Sequence, residues 1–375
     1  MKYYIIAGEA SGDLHGSRLI KAIQKNDAHA IVRAWGGDLM QAEGATIVQH
    51  YRDLAFMGFV EVALHIRTIF KNLQLCKQDI LAFQPDVVVF IDYPGFNLPI
   101  AKFAKRAGFK TVYYISPQVW AWKEKRVKKI KQCIDRMLVI LPFEKRFYEQ
   151  WDYEVEYVGH PLIETIDLYK ASEESKNFII DFKKNHTNSV VAILPGSRKQ
   201  EIRKKLPVML DATKNLQGIE CVVAQAPGID DRFIHELVKN HSNISVWKNK
   251  TYQLLSIADA AMVTSGTATL ETALFGVPEV VCYKTSWLSY TIAKYFIKIP
   301  FISLVNIIQN KAVVRELIQE ELTSKRLEKE LKQLLHDQQK SQQIKSDYEA
   351  LKSSLIPGGN ASENAAAAIQ RFVFG

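Results

Sequence analysis

The chain has 375 residues, 47% of them hydrophobic and 24% charged, which is ample for packed cores and excludes a disordered or low-complexity protein. Its formal charge of +9 fits nucleic acid, a membrane surface or a phosphorylated ligand without choosing among them. Cys76, Cys133, Cys221 and Cys282 are far apart and lack CxxC spacing, so reduced cytoplasmic thiols are expected rather than a disulfide framework or zinc site.

The N-terminal Met1 to Gly8 is apolar too briefly for a signal peptide, and no apolar run approaches the roughly 20 residues of a membrane span. Tyr3–Ala7 reads as the first strand, followed by a helix over Asp13–Gln24. Between them Gly8 and Gly12 permit a tight turn and close backbone approach, although GxGxxG spacing is absent. Glu9, Ser11, Gly12, Asp13 and His15 make this loop polar. It is either an active-site loop or a turn in which Ser11 or Asp13 caps the helix.

Ile31–Trp35 is the next strand. Phe56–Leu75 then reads as an amphipathic helix, with Phe59, Ile66, Ile69 and Phe70 on its apolar side and His65, Arg67 and Lys71 near its edges. Such a helix either lies in a bilayer interface or faces a core. Val87–Ile91 is a strand that ends at Asp92. A carboxylate there is placed to take a proton from a hydroxyl, or else it caps the Pro94-Gly95 turn. Asn97–Ala107 reads as helix, and Thr111–Ile115, Met137–Leu141 and Val155–Val158 as further strands. Trp120 and Trp122, beside Lys125 and Arg126, fit a sugar face, an anion or a single-stranded nucleic acid, or simply a core beside a solvated basic face.

The polar stretch from Glu164 to Asn188 reads as a linker or crossover. Strands then restart at Val190–Leu194, Glu220–Gln225, Ile244–Trp247, Ala260–Thr264 and Glu279–Tyr283. Two successive arrays of apolar strands and helices imply two Rossmann-like domains with a cleft between them. After two of these strands come Gly196-Ser197-Arg198 and Ser265-Gly266-Thr267-Ala268-Thr269-Leu270-Glu271. Each places glycine and hydroxyls where a helix begins, with free N–H groups and a positive dipole end suited to an anion. Arg198 adds a bidentate phosphate contact, Thr267 is placed to cap its helix, and Glu271 either meets ribose hydroxyls or completes a capping box. No Walker lysine motif is present. Ser324–Leu355 reads as one long helix, broken at Pro357, and Asn360–Phe372 as another, capped by Asn360 or Ser362.

Taken together, GEASGDLHG (8–16), IDYPGFN (91–97), ISPQVWAWKEKRVKKI (115–130), LPFEK (141–145), VGHPL (158–162), LPGSRKQEI (194–202) and SGTATLE (265–271) resemble the lipid-A-disaccharide synthase family, and Ser303 to Asn306 continues the likeness. Val305 stands where that pattern has proline. The resemblance implies an α/β fold of the GT-B glycosyltransferase type, two Rossmann-like domains facing across a cleft, with C-terminal helices packing back on the first. Expected bounds are 1–165, 188–345 and 346–375. It implies inverting transfer of 2,3-diacylglucosamine from UDP-2,3-diacylglucosamine to 2,3-diacylglucosamine 1-phosphate, giving a β-1,6 linkage, at the inner face of the cytoplasmic membrane. A UDP-N-acetylglucosamine 2-epimerase on the same fold is the alternative. Asp92 is then the expected base, and Gly196, Ser197, Arg198, Ser265, Gly266, Thr267, Thr269, Glu271 and Asn306 the donor site. Lys125 and Arg126 are expected to hold the acceptor phosphate, and Phe59, Ile66, Ile69 and Phe70 to contact the membrane. No metal, cofactor or nucleic acid is expected, and a homodimer stays open.

Overall fold

Seven runs of the first 160 residues pair side by side as strands: β1 (Lys2–Ala7), β2 (Ile31–Gly36), β3 (Thr46–His50), β4 (Val87–Ile91), β5 (Lys110–Tyr114), β6 (Arg136–Val139) and β7 (Glu156–Tyr157). The structure, a computed structural model, describes residues 1–53, 66–286, 290 and 300–375. The first sheet is parallel throughout its ladders, in the order β3-β2-β1-β4-β5-β6-β7. A second, also parallel, runs β10-β9-β8-β11-β12-β13. Its strands are β8 (Ser189–Leu194), β9 (Ile219–Gln225), β10 (Ile244–Lys248), β11 (Ala260–Thr264), β12 (Glu279–Tyr283) and β13 (Arg315–Ile318).

Both orders reverse direction once, between β1 and β4 and between β8 and β11, which is the topology of doubly wound folds. The chain divides into two units, Met1–Pro161 with Leu355–Gly375, and Leu162–Ser354. Continuous apolar strands such as Val87–Ile91 are buried at every position because helices cover both sheet faces.

In the first unit one face carries Leu19, Ile20 and Ile23 of the helix Ala10–Asn26 together with Ala365, Ala366 and Ile369 of the last helix, Ala361–Phe374. The last helix thus returns to the first unit, whereas 346–354, expected to return with it, belongs to the helix Gln338–Ser354 of the second. Gln370 fastens the last helix by donating to the Ile23 carbonyl and accepting from Asn26. The other face is covered by Cys76 and Ile80 of the helix Ile66–Phe83, Ile100 and Ala104 of Pro94–Arg106, and Val127 and Ile130 beyond.

Three expectations change. The polar stretch read as a linker forms two helices, Pro161–Ala171 and Glu173–Asn185, the second capped by Ser172 accepting from the Ser175 N–H. The expected long helix is two, Ser324–His336 and Gln338–Ser354, parted at Asp337. Strands β3 and β13 were not anticipated: Thr46–His50 is only half-buried, and Arg315–Ile318 is short and charged. Half of the predicted amphipathic helix, 56–65 with Phe59, lies outside the described residues; from Ile66 it continues to Phe83.

Candidate functional site

Every motif of the first unit lies at the C-terminal end of a strand and runs on into the helix that follows, and those at β1 and β4, neighbours in the sheet, flank the switch point. Asp92 leaves β4 in a left-handed conformation, φ 43°, and Tyr93 follows at φ 47°. Non-glycine residues hold such angles only when their surroundings impose them. Here Asn97 Nδ2 (2.7 Å) and the Tyr113 hydroxyl both donate to the Asp92 carbonyl, while the Asp92 N–H donates to Tyr114 O. Gly8 is required opposite, because a Cβ there would overlap the Tyr93 ring.

The result is an aspartate that keeps solvent access yet is closely surrounded by protein. Burial pushes its carboxyl up to about 6, the negative charge of Glu9 adds to the rise, and a bond from the Tyr93 N–H opposes it. Glu9 and Asp92 therefore form an acidic pair at the switch point.

The expected polar loop is short: the helix starts at Ala10 rather than Asp13, so Ser11, Gly12, Asp13 and His15 stand on its first turns. Ser11 is exposed. Gly12 lets the helix lie against β1, since a Cβ would sit 3.0 Å from that of Ala7. Asp13 is buried and accepts from the N–H groups of Gly37, Leu39 and Met40, so it caps the next helix, Asp38–Ala42, instead of its own. Position N-cap of its own helix is taken by Glu9, without a side-chain bond. His15 Nδ1 is buried and has no hydrogen-bond partner among the described residues. Burial and then Arg18 draw this imidazole down to about 4, and burial and then His15 draw His160 to about 3, so both are neutral at pH 7.

Trp120 belongs to the core, edge-on to Phe143 with ring centroids 4.9 Å apart. Glu144 is buried too, and its carboxylate accepts from the Ile140 and Leu141 N–H groups. Arg126 lines a cavity of about 660 Å³ with Lys102, Lys105, Arg106 and Lys129; Pro94, just after Asp92-Tyr93, is at its edge. Lys125 is exposed and outside that lining. Phe70, on the helix Ile66–Phe83, is 65% exposed, Leu75 and Leu81 are exposed as well, and Ile69 is half-buried.

The second unit repeats the geometry with the opposite charge. The loops after β8 and β11 enclose a cavity of about 390 Å³ that contains Gly196, Ser197, Arg198, Ser265, Gly266 and Thr267 in its walls. Gly196, at φ 106°, could not carry a side chain without strain, and a Cβ would lie 3.0 Å from Thr264 Cγ2. Gly266 rather than Thr267 is the N-cap of the helix Thr267–Phe275, and among the described residues no side chain caps its N–H groups. A free dipole end therefore opens into the cavity beside Arg198. Ser265 donates to the Ile302 carbonyl. Glu271 accepts from Tyr252 (3.1 Å), and burial raises its pKa despite that bond.

Two expected donor residues are turned elsewhere. Thr269 is fully buried and donates back to Gly266 O. Asn306 is buried, accepts from the Val313 and Val314 N–H groups and donates to Val314 O and Glu316, so its amide is spent on a loop. Sequence reasoning missed Glu201, Ala226, Thr251 and Thr264 in the cavity wall. Ala226 directly follows β9, a position that the strand-end rule would have flagged.

A family model described as lipid-A-disaccharide synthetase matches residues 3–370. The lipid-A-disaccharide synthase of Geobacter metallireducens is 39% identical over 360 residues, covering 95% of this chain and 93% of that protein. Among solved structures, UDP-GlcNAc 2-epimerase from Neisseria meningitidis bound to UDP-GlcNAc superposes at TM-score 0.68 with 12% identity over all of both chains. The glycotransferase of kitacinnamycin superposes at 0.66 with 13% identity, covering 99% of each chain. At such identities these two establish the fold alone, which is of the GT-B type.

Proposed function

The chain belongs to the lipid-A-disaccharide synthase family, and from that we propose how its own residues carry out an inverting hexosyl transfer. A 2,3-diacylglucosamine unit passes from its UDP conjugate to the 6-hydroxyl of 2,3-diacylglucosamine 1-phosphate, with a β-1,6 bond formed and UDP released. Inversion from an α-linked donor needs one in-line attack and one base. Asp92 takes the hydroxyl proton; with a pKa near 6 it is ionised at pH 7 yet basic enough to accept. The carbon–oxygen bond to UDP breaks, and the negative charge gathering on the diphosphate is met by Arg198 and the N-terminal N–H groups of the helix Thr267–Phe275.

The observation that carries this reading is the contrast between the two switch points. One holds a carboxylate of raised pKa, the other a guanidinium beside an uncapped helix end. The cationic cavity with Arg126, Lys102 and Lys129 suits the acceptor's phosphate. Exposed Phe70 and Leu75 suit peripheral contact with a membrane whose lipids are the substrates. No helix among the described residues is long and apolar enough to cross one.

Incubation with UDP-2,3-diacylglucosamine and 2,3-diacylglucosamine 1-phosphate should yield the disaccharide 1-phosphate and UDP in equal amounts. Interconversion of UDP-sugar epimers with no disaccharide would overturn the reading. No feature of the site favours that epimerase alternative; its likeness rests on the shared fold.

A further inference from the structure

Behind Arg198 in the second unit stand two charged groups, Glu201 and Lys205, that the mechanism above does not use. Lys205, on the helix Lys199–Asp211, is only 2% exposed. Its ammonium donates to Glu201 Oε2 (3.2 Å) and to Thr264 Oγ1. The other oxygen of Glu201 accepts from Arg198 Nη1 (3.0 Å). Arg198, Glu201 and Thr264 all line the same cavity as the uncapped helix end.

A carboxylate in the wall of a diphosphate site is adverse in two ways. It repels the ligand, and it competes for the guanidinium that the ligand needs. A lysine as buried as Lys205 is equally adverse unless it is paired. Each group answers the other's cost. Burial tends to raise the Glu201 pKa, yet Lys205 and Arg198 outweigh it and hold the carboxyl below its ordinary value.

We propose that Lys205 is a positioning residue for donor binding: by neutralising Glu201 from behind, it lets Arg198 leave that carboxylate for the diphosphate. The proposal rests on the cavity being the donor site. Glu201 divides its two oxygens between Arg198 and Lys205. When the diphosphate arrives, Arg198 turns to it, and Glu201 stays paired with Lys205 and Thr264 stays bonded behind them. Without Lys205 the carboxylate would hold Arg198 alone and face the ligand uncompensated.

Calorimetric titration of the full-length protein with UDP tests this, together with donor KM and kcat. Lys205→Met should weaken UDP binding at least fivefold and raise donor KM similarly while kcat stays within threefold. Adding Glu201→Gln should recover most of the lost affinity on a logarithmic scale, which a merely structural lysine would not allow. A smaller loss in the single variant, or a folded double variant that recovers less than half, overturns the proposal. Should Lys205→Met fail to fold by circular dichroism, Glu201→Gln alone decides. It must bind UDP at least threefold more tightly than the parent, and any lesser effect overturns the proposal. If the parent itself does not bind UDP, the donor-site reading falls and this one with it; if only the variants misbehave, the donor site stands.

Discussion

Asp92 is the proposed base, and its setting makes a two-part prediction. Replacement by Asn keeps the shape and the backbone bonds from Asn97 and Tyr113 but removes the base. Turnover should fall by about 10²- to 10⁴-fold, the usual worth of a positioned base, with UDP affinity nearly unchanged. Equal loss of both would make Asp92 structural. The pH profile follows from the raised carboxyl: the active form is the ionised one, so kcat/KM should be flat above about 6 and fall tenfold per unit below it. Because the charge of Glu9 contributes to that rise, Glu9→Gln should move the acid limb to lower pH. An unmoved limb would separate Glu9 from Asp92. Asp92 itself was legible from its place at the end of an apolar run. Its raised pKa was not, because that depends first on the burial the fold imposes and then on Glu9, more than 80 residues earlier in the chain. Asp13 and Asn306 mark the opposite case. Their residue types suit a ligand, and only the folded surroundings reveal that backbone groups already claim them.

Among the elements, the helices Ile66–Phe83 and Thr267–Phe275 show features that packing does not use, exposed apolar side chains on the first and an N-terminus without a side-chain cap on the second. The first buries Cys76 and Ile80 against its sheet and leaves Phe70 and Leu75 outward. Sinking each into a bilayer interface is worth roughly 1.5–3 kcal/mol at most. Phe70→Ser with Leu75→Ser should therefore lower association with anionic vesicles at least tenfold in a sedimentation assay, without a change in thermal unfolding. Persisting association would place the docking surface elsewhere. The second helix shows why glycine and hydroxyl motifs are readable in kind but not in detail. A strand, a glycine and a helix start predict an anion site from backbone geometry alone. Which hydroxyl caps, and which turns inward as Thr269 does, depends on neighbours that the motif does not contain. Strands β3 and β13 escaped notice for a similar reason. Half-buried or short and charged, they are held by pairing with β2 and β12 rather than by their own apolar pattern.

At the scale of the whole molecule, the first unit is assembled from both ends of the chain. Deleting 355–375 would uncover Leu19, Ile20 and Ile23, at roughly 1.5–3 kcal/mol each. That is comparable with the net stability of an ordinary domain, about 5–15 kcal/mol. The truncated chain should lose disaccharide formation and show a lost or lowered first unfolding transition, while still binding UDP through its second unit. Retained transfer activity would make the last helix dispensable. From the order of its residues alone, this protein was already committed to two successive strand–helix arrays, to loops at strand ends, and to an acidic loop in one half and an anion loop in the other. These are properties of period and spacing, which local sequence carries. Tertiary structure alone decided that Glu9 stands beside Asp92, that Lys205 lies behind Glu201, and that backbone N–H groups bond to Asp13 and Asn306. A pKa, a charge pairing and a saturated carboxylate or amide arise between groups distant in sequence, so they come into being only when the sheets bring those groups together.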